Sequence, residues 1–150
     1  KGTRQVKVED IPAGPGRTTL AKGEVISGIY LPPRGKGGGD AYLRFIPRTE
    51  MDIAVVGCAV NLRVEGDKIT EACVVLGAVA PTIVVVEDAA KALIGSTLDA
   101  KALDALAAAA SAACRPINDK RGTIAFRTDV AGVLARRAAK IAYDRARGAK

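Results

Sequence analysis

The sequence contains no histidine and no tryptophan, has only three cysteines, and is 3% aromatic. Without histidine the chain has no Ser-His-Asp or Cys-His nucleophile and no imidazole metal ligand. Cys58, Cys73 and Cys114 form no CxxC pair, which excludes a zinc finger. Cys58 and Cys73 lie in apolar runs, where a free thiol acts as a small hydrophobe. Cys114, shortly before Pro116, marks a helix end. An odd cysteine count without a disulfide framework suits a reducing cytoplasm. No apolar run reads as a signal peptide or a membrane span. The chain opens at Lys1 in mid-pattern, without a helix cap or leader, and reads as a fragment or a processed chain.

Scarce aromatics leave an aliphatic core, since 49% of the 150 residues are hydrophobic. This length suits one domain, or one domain plus a piece of another, and it can bury a core without staples. Small side chains imply close helix–sheet packing and few large hollows. The net charge of +7 allows two readings. One is a nucleic-acid-binding α+β module; the other is a basic rim facing acidic protein partners. The charge is dispersed and stacking residues are few, so the second is preferred and no nucleic-acid partner is expected.

The centre of the pattern is Arg48-Thr-Glu-Met-Asp-Ile-Ala-Val-Val-Gly-Cys-Ala-Val60, an ionic cluster followed by an apolar run. The run predicts a strand over about 54–65, buried on both faces at first and alternating at its far end. Gly66-Asp67 then predicts a tight turn, with 69–79 returning as the hairpin partner. Upstream, strand character is read in residues 1–11, at Glu24–Leu31 and at Asp40–Ile46, with a Gly-Pro turn at 12–16. Arg34-Gly-Lys-Gly-Gly-Gly39 lacks the Gly-Lys-Ser/Thr ending of a phosphate loop and reads as a flexible connector.

Downstream, 83–86 is a short edge strand or a lead into a helix. Helices follow over 87–94, from Ser96 or Thr97 to about Cys114, and from about Thr123 to Arg145. Asp99 is expected in the first turn of the second helix. Phe126, Val130, Val133, Leu134 and Ile141 form the expected buried stripe of the third, with Arg127 elsewhere on its circumference. The predicted fold is an α+β two-layer sandwich, a small antiparallel sheet of three to four strands followed by three helices.

The wording of the sequence also resembles a family. Gly14-Pro-Gly-Arg-Thr18 with Gly23-Glu-Val-Ile26, then Ala41-Tyr-Leu-Arg-Phe45 with Arg48-Thr-Glu-Met-Asp-Ile-Ala-Val-Val56, occur in its order. Leu76-Gly-Ala-Val-Ala-Pro-Thr82, Asp119-Lys-Arg-Gly-Thr-Ile-Ala-Phe-Arg127 and Val133-Leu-Ala-Arg-Arg137 complete the set. Together they resemble the C-terminal part of the FAD-binding medium subunit of molybdenum hydroxylases, the xanthine dehydrogenase and carbon monoxide dehydrogenase family.

The resemblance implies that residues 1–38 are the tail of the FAD-binding domain plus a linker. Residues 39–150 would be its C-terminal α+β domain. It implies a cytoplasmic complex in which electrons pass from iron–sulfur clusters through FAD to an external acceptor. FAD would be shared with an N-terminal FAD-binding half, because the glycine-rich segments that hold its pyrophosphate have no match here. The molybdenum cofactor and the iron–sulfur clusters would sit in partners, a large molybdenum subunit and an iron–sulfur subunit.

By the same resemblance Arg44 is the first candidate for a flavin contact, set against a surface arginine on an edge strand. Ile26 aligns with an aliphatic residue that packs on the flavin, set against a plain core position. Tyr42 shares the face of Arg44 and would edge the ring, set against a tyrosine at a domain seam. Arg48, Glu50 and Asp52, with Asp119 and Arg121, are read as structural ion-pairing residues rather than chemistry. A purely structural docking domain is the remaining reading.

Overall fold

The computed structural model describes residues 2–148; the outermost positions of the two expected segments, 1 and 149–150, lie outside it. The order is a small hairpin, β1 (Pro12–Gly14) and β2 (Arg17–Thr18), preceded by a 3-10 turn at Val8–Asp10. Four strands follow: β3 (Gly38–Phe45), β4 (Val56–Glu65), β5 (Lys68–Gly77) and β6 (Val84–Val85). Three helices close the chain: α1 (Glu87–Leu93), α2 (Ala100–Ala112) and α3 (Ile124–Ala146). The main sheet is antiparallel in the order β3-β4-β5-β6. The expected α+β sandwich is therefore present, with an additional two-stranded hairpin.

Residues directly opposite in antiparallel strands share a face. Ala41↔Val60↔Val74 and Leu43↔Cys58↔Leu76 form successive rows on the helix-facing side. Val60, Val74, Cys58 and Leu76 are fully or almost fully buried there. Burying each of the large aliphatic side chains is worth about 1.5–3 kcal/mol. Of the central strand, Val56, Gly57 and Cys58 are buried, so both faces are covered at its start before alternation sets in.

α3 lies across β3 and β4, α1 packs on β5, and α2 bridges the two helices. The buried seam of α3 is alanine: Ala131, Ala135, Ala138, Ala139 and Ala142. This corrects the expected stripe in part: Leu134 is buried and Val130 and Ile141 pack against the core, but Phe126 and Val133 are exposed. Small residues let the helix axis approach the sheet, and bulky ones are pushed to its margins. Gly39 belongs to this seam, since a Cβ there would strike the backbone of Ala142 and Ala146. The glycine run at 37–39 is thus a close-packing feature, and β3 begins inside the stretch expected to be a flexible connector.

Two further expectations are corrected. Residues 2–7 and Glu24–Leu31 are not strands; among the described residues they have no sheet partner. Asp99 is the N-cap of α2 rather than a first-turn residue, its side chain accepting from the Ala102 amide at 2.9 Å. Thr123 caps α3 in the same way, which satisfies an otherwise orphaned amide.

Candidate functional site

The helices cover only one face of the sheet. Tyr42, Ala59, Val75 and Val85 line up as one cross-strand row on the other. The next row is Arg44, Gly57 and Gly77. It holds one cation beside two positions without side chains. Tyr42 is 62% exposed and Val85 45%. This face is therefore small-sided, with Tyr42 and Arg44 on its β3 edge.

Strand geometry places Tyr42 and Arg44 together, because residues two apart share a face. The expected pairing of these two side chains on one face is present. Among the described residues Arg44 makes no side-chain hydrogen bond or ion pair. Ile26 is not brought to them by any sheet pairing or hydrogen bond among the described residues. It sits in the irregular stretch after the hairpin, 59% exposed. Gly57 was missed by sequence reasoning, although a glycine inside a strand signals close approach of another group. Here that group is Tyr42, whose hydroxyl lies 2.8 Å from where a Cβ would be.

The ionic residues form a separate cluster behind the start of β4. The Asp52 side chain is 5% exposed and accepts from Arg121 Nε at 3.2 Å, from the Arg48 amide at 3.3 Å and from the Ile53 amide at 2.8 Å. Burial opposes its charge, but the Arg121 guanidinium and the two amides outweigh it, so its carboxyl is held below the usual range. Asp119 is lowered by the Arg121 amide first and by the Arg127 guanidinium second. Arg127, which is buried, donates to Asp119 Oδ1 at 2.6 Å and to the Val55 carbonyl oxygen at 2.7 Å. Its position corrects the expectation that it lies away from the core. Glu50 is exposed and takes no part. The cluster ties the loop before β4 to the connector before α3, which fits the structural role read from the sequence.

The thiols carry no site. Cys58 is pushed up to about 12 by burial, with the neighbouring Cys114 thiol adding to it. All three cysteines are free. Among the described residues no group of three or more Cys, Asp or Glu gathers as a metal site. No helix among them is long and apolar enough to cross a membrane. Part of the basic charge is paired, as in Arg63–Glu71, Arg136–Asp104 and Arg147–Asp67.

An antiparallel sheet covered by helices on one face and open on the other makes an α+β two-layer sandwich. Residues 41–142 match the model of the CO dehydrogenase flavoprotein C-terminal domain. The chain belongs to that family. It is 37% identical over 147 residues to the carbon monoxide dehydrogenase medium chain of Afipia carboxidovorans, covering 98% of this chain and 51% of that one. It is 27% identical over 128 residues to a putative xanthine dehydrogenase FAD-binding subunit of Escherichia coli, covering 85% of this chain and 44% of that one. A solved structure of reconstituted CO dehydrogenase from Oligotropha carboxidovorans superposes with a TM-score of 0.86 at 36% identity. That match covers 91% of this chain and 48% of the other. The chain thus spans about half the length of the curated relatives it matches.

The small residues of the open face suit one side of a planar ring. A planar ring can lie on small residues beside Tyr42 and Arg44, but the glycine run at 37–39 is filled by the chain itself and offers no pyrophosphate cradle.

Proposed function

We propose that this chain is the C-terminal wall of the flavin site in the FAD-binding subunit of a molybdenum hydroxylase. Bound there, FAD supplies the step between iron–sulfur electron donors and an external acceptor. The observation that carries this reading is the bare sheet face, where Tyr42 and Arg44 stand side by side in a chain of this family. Arg44 sets a fixed positive charge beside the pyrimidine side of the ring and favours negative charge there. Tyr42 offers a planar apolar surface. Ile26 would add an aliphatic contact once its segment is docked on the proposed FAD-binding half.

Residues 1–38 are assigned to the tail of the FAD-binding domain plus a linker, and 39–150 to the C-terminal domain. The hydrogen bonding of the first segment supports this. Its backbone bonds up to Glu24 stay within that stretch, and Arg4 pairs with Glu24 at 2.8 Å. Val25, Ile29 and Leu31 are 74–82% exposed, with neighbours Ile26 and Tyr30 also bare. An eight-residue stretch apolar on both sides is what a strand in the interior of another sheet looks like. Its partner is the N-terminal FAD-binding half. An iron–sulfur subunit and a large molybdenum subunit complete the cytoplasmic assembly and carry their own cofactors.

The experiment is an absorbance spectrum of the native assembly that contains this chain, with mass analysis of every polypeptide in it. Flavin and iron–sulfur bands together with a large molybdenum-containing partner are expected. A colourless assembly without such a partner would sink the reading.

A further inference from the structure

Gly57 lies directly opposite Arg44, while Tyr42 lies opposite Ala59. Yet the end of the Tyr42 ring reaches the next row. A Cβ on Gly57 would be 2.8 Å from the Tyr42 hydroxyl, 3.3 Å from Cε2 and 3.4 Å from Cζ. Gly57 is buried under that ring although it sits on the open face. The absence of a side chain thus lets Tyr42 lie across β4 and carries its hydroxyl into the row that holds Arg44.

The geometry points to Gly57 as a positioning residue for the flavin wall, acting through Tyr42, an inference that rests on the flavin-wall reading above. By leaving its place empty it lets the phenol ring cover the strand, and it brings the hydroxyl to the cross-strand level of Arg44. Any side chain at 57 lifts Tyr42 away from the sheet, into the space a planar ligand would take. Gly77, next in the row, meets nothing within 4 Å and keeps that level open on the far side. The two glycines therefore differ in role: one makes room for Tyr42 and the other leaves the trough free.

The contact at Gly57 is with the far end of an exposed side chain, so Gly57→Ala displaces Tyr42 without disturbing the core. In the assembled flavin subunit, Gly57→Ala is expected to weaken FAD retention by about 3- to 10-fold, the scale of one aromatic contact, and to shift the flavin absorption bands. Its melting temperature should stay that of the parent. In a Tyr42→Ala background, Gly57→Ala should change nothing further, because residues acting as one unit are non-additive. Tyr42→Phe in the Gly57→Ala chain removes the closest contact and should restore part of the retention. Unchanged FAD retention and spectrum in Gly57→Ala would overturn the inference, as would a full effect that persists without Tyr42. If Tyr42→Ala and Arg44→Ala weaken FAD and Gly57→Ala does not, the positioning role alone fails. If none of the three matters, the flavin-wall reading fails with it.

Discussion

Arg127 Nη1 donates to the carbonyl oxygen of Val55 at 2.7 Å, across 72 residues of chain. The bond joins the first turn of α3 to the residue that leads into β4. The same guanidinium grips Asp119 in the connector before the helix, while its Nε finds no acceptor among the described residues. One buried cation therefore fixes where the central strand starts.

Replacing Arg127 by Met should accordingly lower stability by about 3 kcal/mol, because it leaves the Val55 carbonyl without its donor and takes the guanidinium from Asp119, which keeps its Arg121 contacts. Urea unfolding followed by circular dichroism measures it. A loss under about 1 kcal/mol would mean that the guanidinium is replaceable by packing alone.

Acid should loosen the same region. The carboxyls of Asp52 and Asp119 are held below their ordinary values in the folded chain, so the unfolded chain binds more protons as pH falls. Their contribution is complete above the ordinary carboxylate range and is lost as pH drops through the lowered values. Melting temperature should fall steadily below about pH 4, and Asp119→Asn should flatten that limb. An acid limb of unchanged steepness in the variant would remove Asp119 from the account.

Thiol labelling should separate the three cysteines. Cys73 is exposed on the open face, its thiol raised by partial burial and by Glu9, whereas Cys58 is buried with its thiol pushed up to about 12. Alkylation at neutral pH, read by mass spectrometry, should modify Cys73 alone until the chain unfolds. In the assembled subunit Cys73 should be protected if the proposed FAD-binding half covers the sheet. Equal labelling in both states would place that half elsewhere.

Arg44→Ala in the full complex should lower the flavin midpoint potential by about 20–40 mV, equivalent to about 1–2 kcal/mol for a two-electron couple. Arg44→Lys, which keeps the charge, should recover most of it. A potential indifferent to both changes would make Arg44 an ordinary surface cation.

The sandwich was legible because its parts announce themselves locally. The apolar run entering β4, the Gly66-Asp67 turn and Gly95 after α1 each have a local cause, and the structure has them in place. The seam of α3 was less so, since alanine carries little hydrophobic signal and Phe126 carries much. Phe126 instead meets Phe45 edge-on at 5.8 Å near the margin of the helix layer. Glu24–Leu31 has a strand's composition but no sheet here to join, so propensity ran ahead of tertiary context. Of the site, Tyr42 and Arg44 follow from period two, whereas Gly57 required knowing which residue faces it across the strands.

The bare stretch from Val25 to Leu31 also shapes the life of the chain before it meets anything. Unpaired backbone and five large apolar side chains in seven residues make a template for wrong partners, including another copy of itself. A holdase chaperone should favour this stretch as long as it stays bare, and Pro32-Pro33 sets a hard limit on how far any misplaced pairing can run.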